Sequence, residues 1–561
     1  MLPRSMRAGC AMLILAGVCA GEARSQRFRP QPQGPEAPAA PKSALLTFED
    51  WQRAPLTPLK KGEIDQLVSQ ELTKNKIQPA PLTTDEQFIR RATLDLTGAL
   101  PLPADVTEFV ASKETDKRAK LIDKLLESDE YARHWSRYWR DVVTNRLAER
   151  RALLFVRPFE QWLYTEIKAN KSWGEMARAM IAADGAIRSD EVDKNGAAFF
   201  LASRRGTDAV NERAAETARV FLGIQIQCAQ CHDHPFDQWR RVQFHEFAAY
   251  FARTGERLVR DGNRQLGVEL VGRRFGEHQM PAGDEPRKTF TTHPRYLDGT
   301  SPGKNLDDVA RRKALADQIV DQKNYWFAAA YVNRMWGSLI GQSFYEPVDD
   351  MGPQKGVVFP MVLTRLTGSF RASNYDMKGL FRDIMNSQAY QRQIRLGESP
   401  NDHLHFAGAY PTRLSADAIW DSLEQVLGPL SAGRGGPPRG GFGGFRFGIE
   451  GQFKAEFAFD PSLKADDVEG SIPQALFLMN NAAINQKLRA DGDNLLGRIL
   501  KAYPKDEDAL RMVYLRTLAR QPTARELARC QQYIKDTAER GEAFEDILWA
   551  LINSTEFQSK R

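Results

Sequence analysis

The densest group of chemically active side chains lies at residues 223–239, in the stretch GIQIQCAQCHDHPFDQW. Cys228 and Cys231 are three positions apart, and His232 follows directly. This spacing fits covalent haem attachment, because two thiols at that distance reach the two vinyl groups on one porphyrin edge. The adjacent imidazole can then turn beneath the ring and ligate the iron. The stretch therefore predicts haem c held by Cys228, Cys231 and His232.

Two other chemistries select the same residue types. Cys228, Cys231, His232 and His234 can instead form a mononuclear site for zinc or iron, because four nitrogen and sulfur ligands suit such a metal. Against this, Cys231 and His232 are adjacent, and the usual second ligand pair at longer separation is absent. The third interpretation is a short disulfide surrounded by polar residues. All three remain open on the residues alone.

If haem binds, His232 is its proximal ligand and a second ligand can approach from the other face of the ring. The sequence offers four candidates without distinguishing among them, His234, His245, His278 and Met280, and His134 is a further one. His134 lies beside tryptophans, which is more typical of a packed core histidine. His234 is too near His232 to cross the ring, so we expect it to contact a propionate or a neighbouring group.

A second acidic motif, EPVDDMG, brings Glu346, Asp349 and Asp350 close together. Paired carboxylates can serve acid–base chemistry or bind a divalent cation, although an acidic loop is more often a solvated turn or a helix cap. Arg334, on a predicted helix, is expected to pair with buried carboxylates. The sequence contains no nucleophile elbow, phosphate-binding loop or dinucleotide fingerprint.

The 561-residue chain has a formal net charge of +6, and its distribution bears on possible partners. Six basic and two acidic residues in positions 1–42 account for +4 of this charge. The remainder has mixed signs, and no run of residues suggests a concentrated basic face. We therefore expect no nucleic acid as a partner.

The N-terminus has the layout of a secretory signal, with Arg4 and Arg7 followed by a short apolar run and small residues. We predict a signal peptide over residues 1–25, and export to the periplasm or cell surface. Lipidation at Cys19 is an alternative that fits less well, because Val18 precedes it. No other segment is apolar enough to span a bilayer. Cys530 lies in a helical pattern and is expected to be buried.

The remaining pattern predicts a mainly α-helical protein with two domains. A Pro-rich linker (26–45) precedes a helical domain (46–255) that contains the CAQCH motif. A connecting segment (256–305) has lost the helical period and holds short strands. A second helical domain follows (306–558), with a disordered Gly/Arg-rich loop at 429–451.

Several motifs together resemble a known family. RRATLDLTGALPLPADVTEFV, HWSRYWRD and the CAQCH stretch look like the planctomycete cytochrome-like domain, domain of unknown function 1549. YVNRMWGSLIG, EPVDDMG, SIPQALFLMNN and YLRTLARQPTAREL resemble its usual C-terminal partner, domain of unknown function 1553. The resemblance covers roughly residues 50–250 and 306–558. It implies an exported bacterial envelope protein.

Three functions follow from these observations. The first is an exported c-type-haem-like protein for electron transfer or redox chemistry, with a redox partner protein. The second is a zinc- or iron-dependent enzyme that acts on an extracellular or envelope polymer. The third is a non-catalytic structural or assembly protein of the envelope.

Overall fold

The computed structural model describes residues 44–148, 150–282, 288–395, 405–430 and 448–560. The predicted signal peptide, nearly all of the Pro-rich linker and residues 431–447 of the predicted Gly/Arg-rich loop lie outside this description. The end of that loop was predicted too far along the chain, because a helix begins at Ile449.

The described chain is mainly α-helical, as predicted. The helices of its N-terminal part are α1 (Phe48–Arg53), α2 (Glu63–Lys74), α3 (Asp85–Thr97), α4 (Pro103–Ala111), α5 (Lys117–Leu126), α6 (Asp129–Thr144), α7 (Val156–Lys168), α8 (Trp173–Ile181), α9 (Phe199–Ala202), α10 (Ala209–Leu222) and α11 (Arg241–Ala248). Between α10 and α11, the CAQCH motif begins in a 3₁₀-helix, Ile226–Gln230.

The C-terminal part is also mainly α-helical. Its helices are α12 (Asp308–Ile319), α13 (Tyr325–Ile340), α14 (Pro360–Ala372), α15 (Met377–Met385), α16 (Gln388–Gln391), α17 (Ala416–Leu427), α18 (Ile449–Phe457), α19 (Ile472–Asn480), α20 (Ala482–Lys487), α21 (Leu495–Ala502), α22 (Asp506–Leu518), α23 (Ala524–Asp536), α24 (Arg540–Ile552) and α25 (Thr555–Gln558). None of the helices in the described ranges is both long and apolar enough to cross a membrane.

Two small antiparallel sheets are built mainly from the predicted connecting segment, with one strand added from residues 185–188 of the predicted N-terminal helical domain. Strands β1 (Gly185–Arg188), β2 (Thr254–Asp261) and β3 (Arg264–Gly272) form one sheet in the order β1-β3-β2. Strands β4 (His278–Pro281) and β5 (Thr289–Thr292) form a two-stranded sheet, which sets Met280 opposite Phe290. The second sheet carries two of the predicted distal ligands, His278 and Met280.

Local sequence signals explain where the helices begin and end. Thr84 caps α3 by accepting a hydrogen bond from the Gln87 amide, and Gly98 ends that helix with a φ of +67°. A residue with a side chain is strained in this left-handed conformation, so glycine suits the position. Ser128 caps α6, which buries an aromatic face that includes Trp135 and Trp139.

The buried side chains form two hydrophobic clusters. The larger draws on residues from Leu46 to Ala407, together with Leu515 and Ala519, and so includes side chains from both sides of position 306. The smaller is built mainly from residues 414–557, with Leu94 and Leu100 added from the N-terminal part. The predicted boundary between the two helical domains stays a prediction, but apolar packing continues across it.

Candidate functional site

The CAQCH motif lies on the surface at the end of helix α10. That helix stops at Gly223, whose φ of +68° turns the chain into the 3₁₀-helix. Ile226 and Ala229 are buried and hold this turn against the core. Cys228 and Cys231 are exposed, and both thiols are free. The alternative of a disulfide between them therefore does not hold in this structure.

His232 is exposed, and one of its ring nitrogens is already hydrogen-bonded. Its Nδ1 lies 2.7 Å from the carbonyl oxygen of Asp233. A carbonyl can only accept, so Nδ1 carries the proton and donates it. In the neutral ring, Nε2 then has a free lone pair. A backbone carbonyl bonded to Nδ1 is a common way to fix the tautomer of a metal-ligating histidine.

The other polar residues of the motif support the loop. The His234 amide donates to the Trp239 carbonyl at 2.8 Å, and the Phe236 amide donates to Nδ1 of His234 at 3.2 Å. The Arg241 amide donates to Asp233 at the start of α11. Among the side chains that the structure describes, no group of three or more His, Cys, Asp and Glu residues is arranged to hold a metal ion. The four ligands predicted for a mononuclear site are thus not gathered.

Two of the predicted distal ligands form a hydrogen-bonded pair next to the motif. Nε2 of His245 lies 3.0 Å from the carbonyl oxygen of Gln230, so it donates a proton to the motif's own backbone. Nδ1 of His245 then accepts from Nε2 of His278, at 2.8 Å. His245 thus uses both ring nitrogens, whereas Nδ1 of His278 is not part of this pairing. Met280 follows on the same strand and is half-buried.

This histidine pair should make the fold sensitive to acid. Burial lowers the pKa of His278 from its ordinary value of 6.5 to about 4, and burial also lowers the pKa of His245. The neutral pair therefore contributes stability that is present above pH 6.5 and is lost as the pH falls towards about 4. We expect wild type to lose on the order of 2 kcal/mol over this range, after allowing for partial exposure.

His278→Gln tests this sensitivity. At neutral pH it should cost about 1 kcal/mol, the value of one hydrogen bond, and it should remove most of the acid-dependent loss. Urea midpoints measured across the acid range give both quantities. His293→Gln is the matched control, since the His293 side chain is 72% exposed. Parallel pH curves for wild type and His278→Gln would contradict the expectation.

His134 occupies a different place from the CAQCH motif. It lines a cleft of about 2280 Å³, whose described lining includes no residue from 223 to 245. Burial lowers its pKa to about 3, and the neighbouring charges of Lys560 and Arg137 act in the same direction. Its ring meets Trp135 edge-on at 5.5 Å. These contacts agree with the packed-histidine interpretation.

The acidic motif has a structural role at Asp349. This carboxylate is fully buried and lies 3.1 Å from Arg219, 3.2 Å from Arg146 and 3.9 Å from Arg334. Burial alone would raise the pKa of Asp349, but the three guanidinium groups lower it below its ordinary value. The prediction that Arg334 pairs with a buried carboxylate is confirmed, and the interpretation of the whole motif as a solvated turn is wrong for Asp349.

The EPVDDMG motif also contacts the segment that carries the cysteines, on both sides of them. Gln225, three residues before Cys228, donates to Asp349 Oδ1 at 2.8 Å. The Met351 amide donates to the Gly223 carbonyl at 2.7 Å. Asp237, beyond the cysteines, packs so closely on Gly352 that a methyl group there would lie 1.7 Å from the carboxylate. The C-terminal part of the chain therefore positions both ends of the CAQCH loop.

A charged network in the cleft was not predicted from the sequence. Arg140 Nη2 lies 2.7 Å from Asp141 and 2.6 Å from Asp417, and its Nη1 lies 2.9 Å from Glu160. Lys454 is 2.6 Å from Asp417 on the other side. Burial raises the pKa of Asp141 to about 6 although Arg140 opposes the shift. The spacing of Arg137 and Arg140 on α6 was the only available sequence signal, and it does not identify partners 277 residues away.

The comparisons with known proteins agree with the two-part organisation. Residues 63–256 match a family model described as protein of unknown function (DUF1549), and residues 311–442 match one described as protein of unknown function (DUF1553). No curated protein and no solved structure matches the chain. The chain therefore pairs an N-terminal DUF1549 domain with a C-terminal DUF1553 domain, as its motifs predicted.

Proposed function

We propose that this chain is an exported c-type haem protein that carries electrons or performs redox chemistry in the cell envelope. The observation that carries the proposal is the state of His232. Its Nδ1 is hydrogen-bonded to a carbonyl, which leaves Nε2 for a metal, and two free, exposed thiols lie within four residues of it. The N-terminal family model also bears a cytochrome-like name.

The donor set fits haem c by its chemistry. Cys228 and Cys231 would each add the S–H bond across one vinyl group, forming a C–S bond and placing the hydrogen on the other vinyl carbon. His232 would offer Nε2 to the iron, with its ring orientation held by the hydrogen bond to the Asp233 carbonyl. When bound, haem supplies a one-electron couple between ferric and ferrous iron. His245 would give up a hydrogen bond if it acted as a ligand, whereas His278 Nδ1 and Met280 would not disrupt the histidine pair.

Haem attachment can be tested directly. We expect full-length protein, co-expressed in a bacterial periplasm with a haem-maturation system, to give a reduced pyridine haemochrome spectrum corresponding to one haem per chain. The haem should remain attached after denaturation, because thioether bonds are covalent. Mass spectrometry of the denatured protein measures this retention.

Cysteine variants distinguish haem that is covalently attached at the CAQCH motif from haem that is bound noncovalently. Cys228→Ala combined with Cys231→Ala should abolish covalent haem, while His232→Ala should reduce its yield and change its spectrum. Cys530→Ala is the control, because that thiol is buried and contacts the Tyr514 hydroxyl at 3.7 Å. Stoichiometric zinc without haem would overturn the proposal in favour of a metal site. A chain with neither haem nor metal would favour the structural role.

A further inference from the structure

The cleft that contains His134 is lined by elements from both the N-terminal and the C-terminal parts of the chain. Helices α6 and α7, residues 412–418, α18 and α20 all contribute to its lining. Its volume of about 2280 Å³ is larger than the roughly 300–1,000 Å³ typical of small-molecule pockets. A ligand that fills it would be larger than a typical small molecule.

Basic residues outnumber acidic ones in this cleft. Twelve lysine and arginine side chains and seven aspartate and glutamate side chains line its described part, which gives a net charge of +5. Beyond residue 42 the whole chain carries a net charge of only +2. Arg137, Arg334 and Lys560 pair with Asp421, Asp349 and Asp95, which do not belong to the described lining, so an excess of two positive charges remains in this one cleft.

Some of these cations are neutralised within the protein and others are not. Arg140 and Lys454 bind Asp417, and Arg334 lies near Asp349. Four other cations of the lining have no carboxylate within 4 Å among the described residues: Arg133, Arg413, Lys464 and Lys487. Arg413 is half-buried, and among the described residues its guanidinium donates to the uncharged Gln474 and lies over the Phe457 ring, while its Nε has no hydrogen-bond partner. Burying a cation without a counterion is unfavourable, so an anionic ligand would stabilise it.

The remaining lining indicates which kind of anion fits. The lining includes carboxylates such as Glu160 and Glu450 as well as hydroxyl and amide side chains, and Tyr138, Tyr164 and Phe459 are only partly buried. An acidic saccharide matches this mixture, because its hydroxyls can donate to carboxylates while its anionic groups meet the unpaired cations. The continuous phosphates of a nucleic acid would instead face seven carboxylates.

We propose that this cleft binds an acidic oligosaccharide, a chain of sugar rings that carries carboxylate or sulfate groups. Arg133, Arg413, Lys464 and Lys487 meet the anionic groups. The inference does not depend on haem, since none of the described lining residues belongs to the CAQCH motif.

Binding can be measured with full-length protein and four defined probes. These are polygalacturonate for carboxylated sugar, dextran sulfate for sulfated sugar, dextran as the neutral sugar, and a single-stranded DNA oligonucleotide. We expect one or both acidic polysaccharides to bind in a salt-sensitive way, because part of the site is exposed to solvent. Their relative affinities distinguish carboxylate from sulfate recognition. Dextran should not bind, and DNA should bind more weakly.

Charge-reversal variants locate the binding site. Lys464→Glu combined with Lys487→Glu should weaken binding of the acidic polysaccharide by at least about tenfold, through two lost charged contacts and added repulsion. Lys113→Glu combined with Lys501→Glu is the matched control, because both lysines are exposed and lie outside the cleft lining. The control should change binding less than about twofold. Circular dichroism and thermal unfolding verify that both variants are folded.

Three results would overturn the proposal. The first is no binding of either acidic polysaccharide. The second is an equal loss of affinity in the cleft and control variants, which would indicate nonspecific charge attraction. The third is tighter binding of DNA with the same dependence on Lys464 and Lys487, which would assign the cleft to nucleic acid.

Discussion

Asp349→Asn should destabilise the folded chain by about 3–5 kcal/mol, because it removes a fully buried negative charge that three arginines share. Asp349 is fully buried and is shared by Arg146, Arg219 and Arg334. Asparagine keeps nearly the same shape, so the loss reports charge rather than packing. Because the pKa of Asp349 is lowered on folding, its contribution is present above about pH 3.8 and is lost as the pH falls further.

The neighbouring residue provides the control for this experiment. Asp350 forms an ion pair with Lys355 at 2.9 Å, and both side chains are partly exposed. Asp350→Asn should therefore cost less than about 1 kcal/mol. Urea unfolding at neutral pH measures both variants. Equal losses would show that the buried arginines do not need Asp349.

The Asp349 variant should also affect the candidate site. Gln225 donates to Asp349 just before the first cysteine, so loss of the carboxylate should loosen the CAQCH segment. If haem attaches as proposed, we expect lower haem yield from Asp349→Asn than from Asp350→Asn at equal amounts of soluble protein. Equal haem yields from the two variants would show that Asp349 stabilises the fold without positioning the CAQCH motif.

Trp173→Ala should cost about 3–5 kcal/mol, the range for removing a large buried aromatic side chain. Trp173 stacks on Trp139 with ring centroids 4.2 Å apart and lies 5.0 Å from Tyr331 and 5.7 Å from Phe221. Tyr331 belongs to the DUF1553 region, whereas the other three belong to the DUF1549 region. The cluster joins the two, so we expect a single unfolding transition that shifts as a whole.

Trp162→Ala is the matched control for this variant. Trp162 is only partly buried and stacks on Phe159 at 6.1 Å, so its loss should cost about 1–2 kcal/mol. Far-ultraviolet circular dichroism and intrinsic fluorescence should report the same midpoint in each variant. Two separate transitions, of which only one moves, would contradict a shared core.

Local features of this protein could be predicted from its sequence because each depends on residues close together in the chain. The start of α3 at Thr84 and its end at Gly98 follow from a capping hydroxyl and a glycine in left-handed conformation. The CAQCH motif is likewise contiguous, so its candidate ligands were identifiable without a structure. The two-part organisation could be recognised from motifs of the same local kind.

Long-range pairings required the tertiary structure. Asp349 meets Arg219 from 130 positions away, and Arg140 meets Asp417 across 277 positions. A charged residue in a helical pattern has the same appearance whether it faces solvent or a buried counterion, so periodicity alone could not identify Asp349 as structural. The basic cleft has the same origin. Its cations are scattered among acidic residues in the sequence, and only the tertiary structure brings residues of α6, α7, α18 and α20 into one cleft.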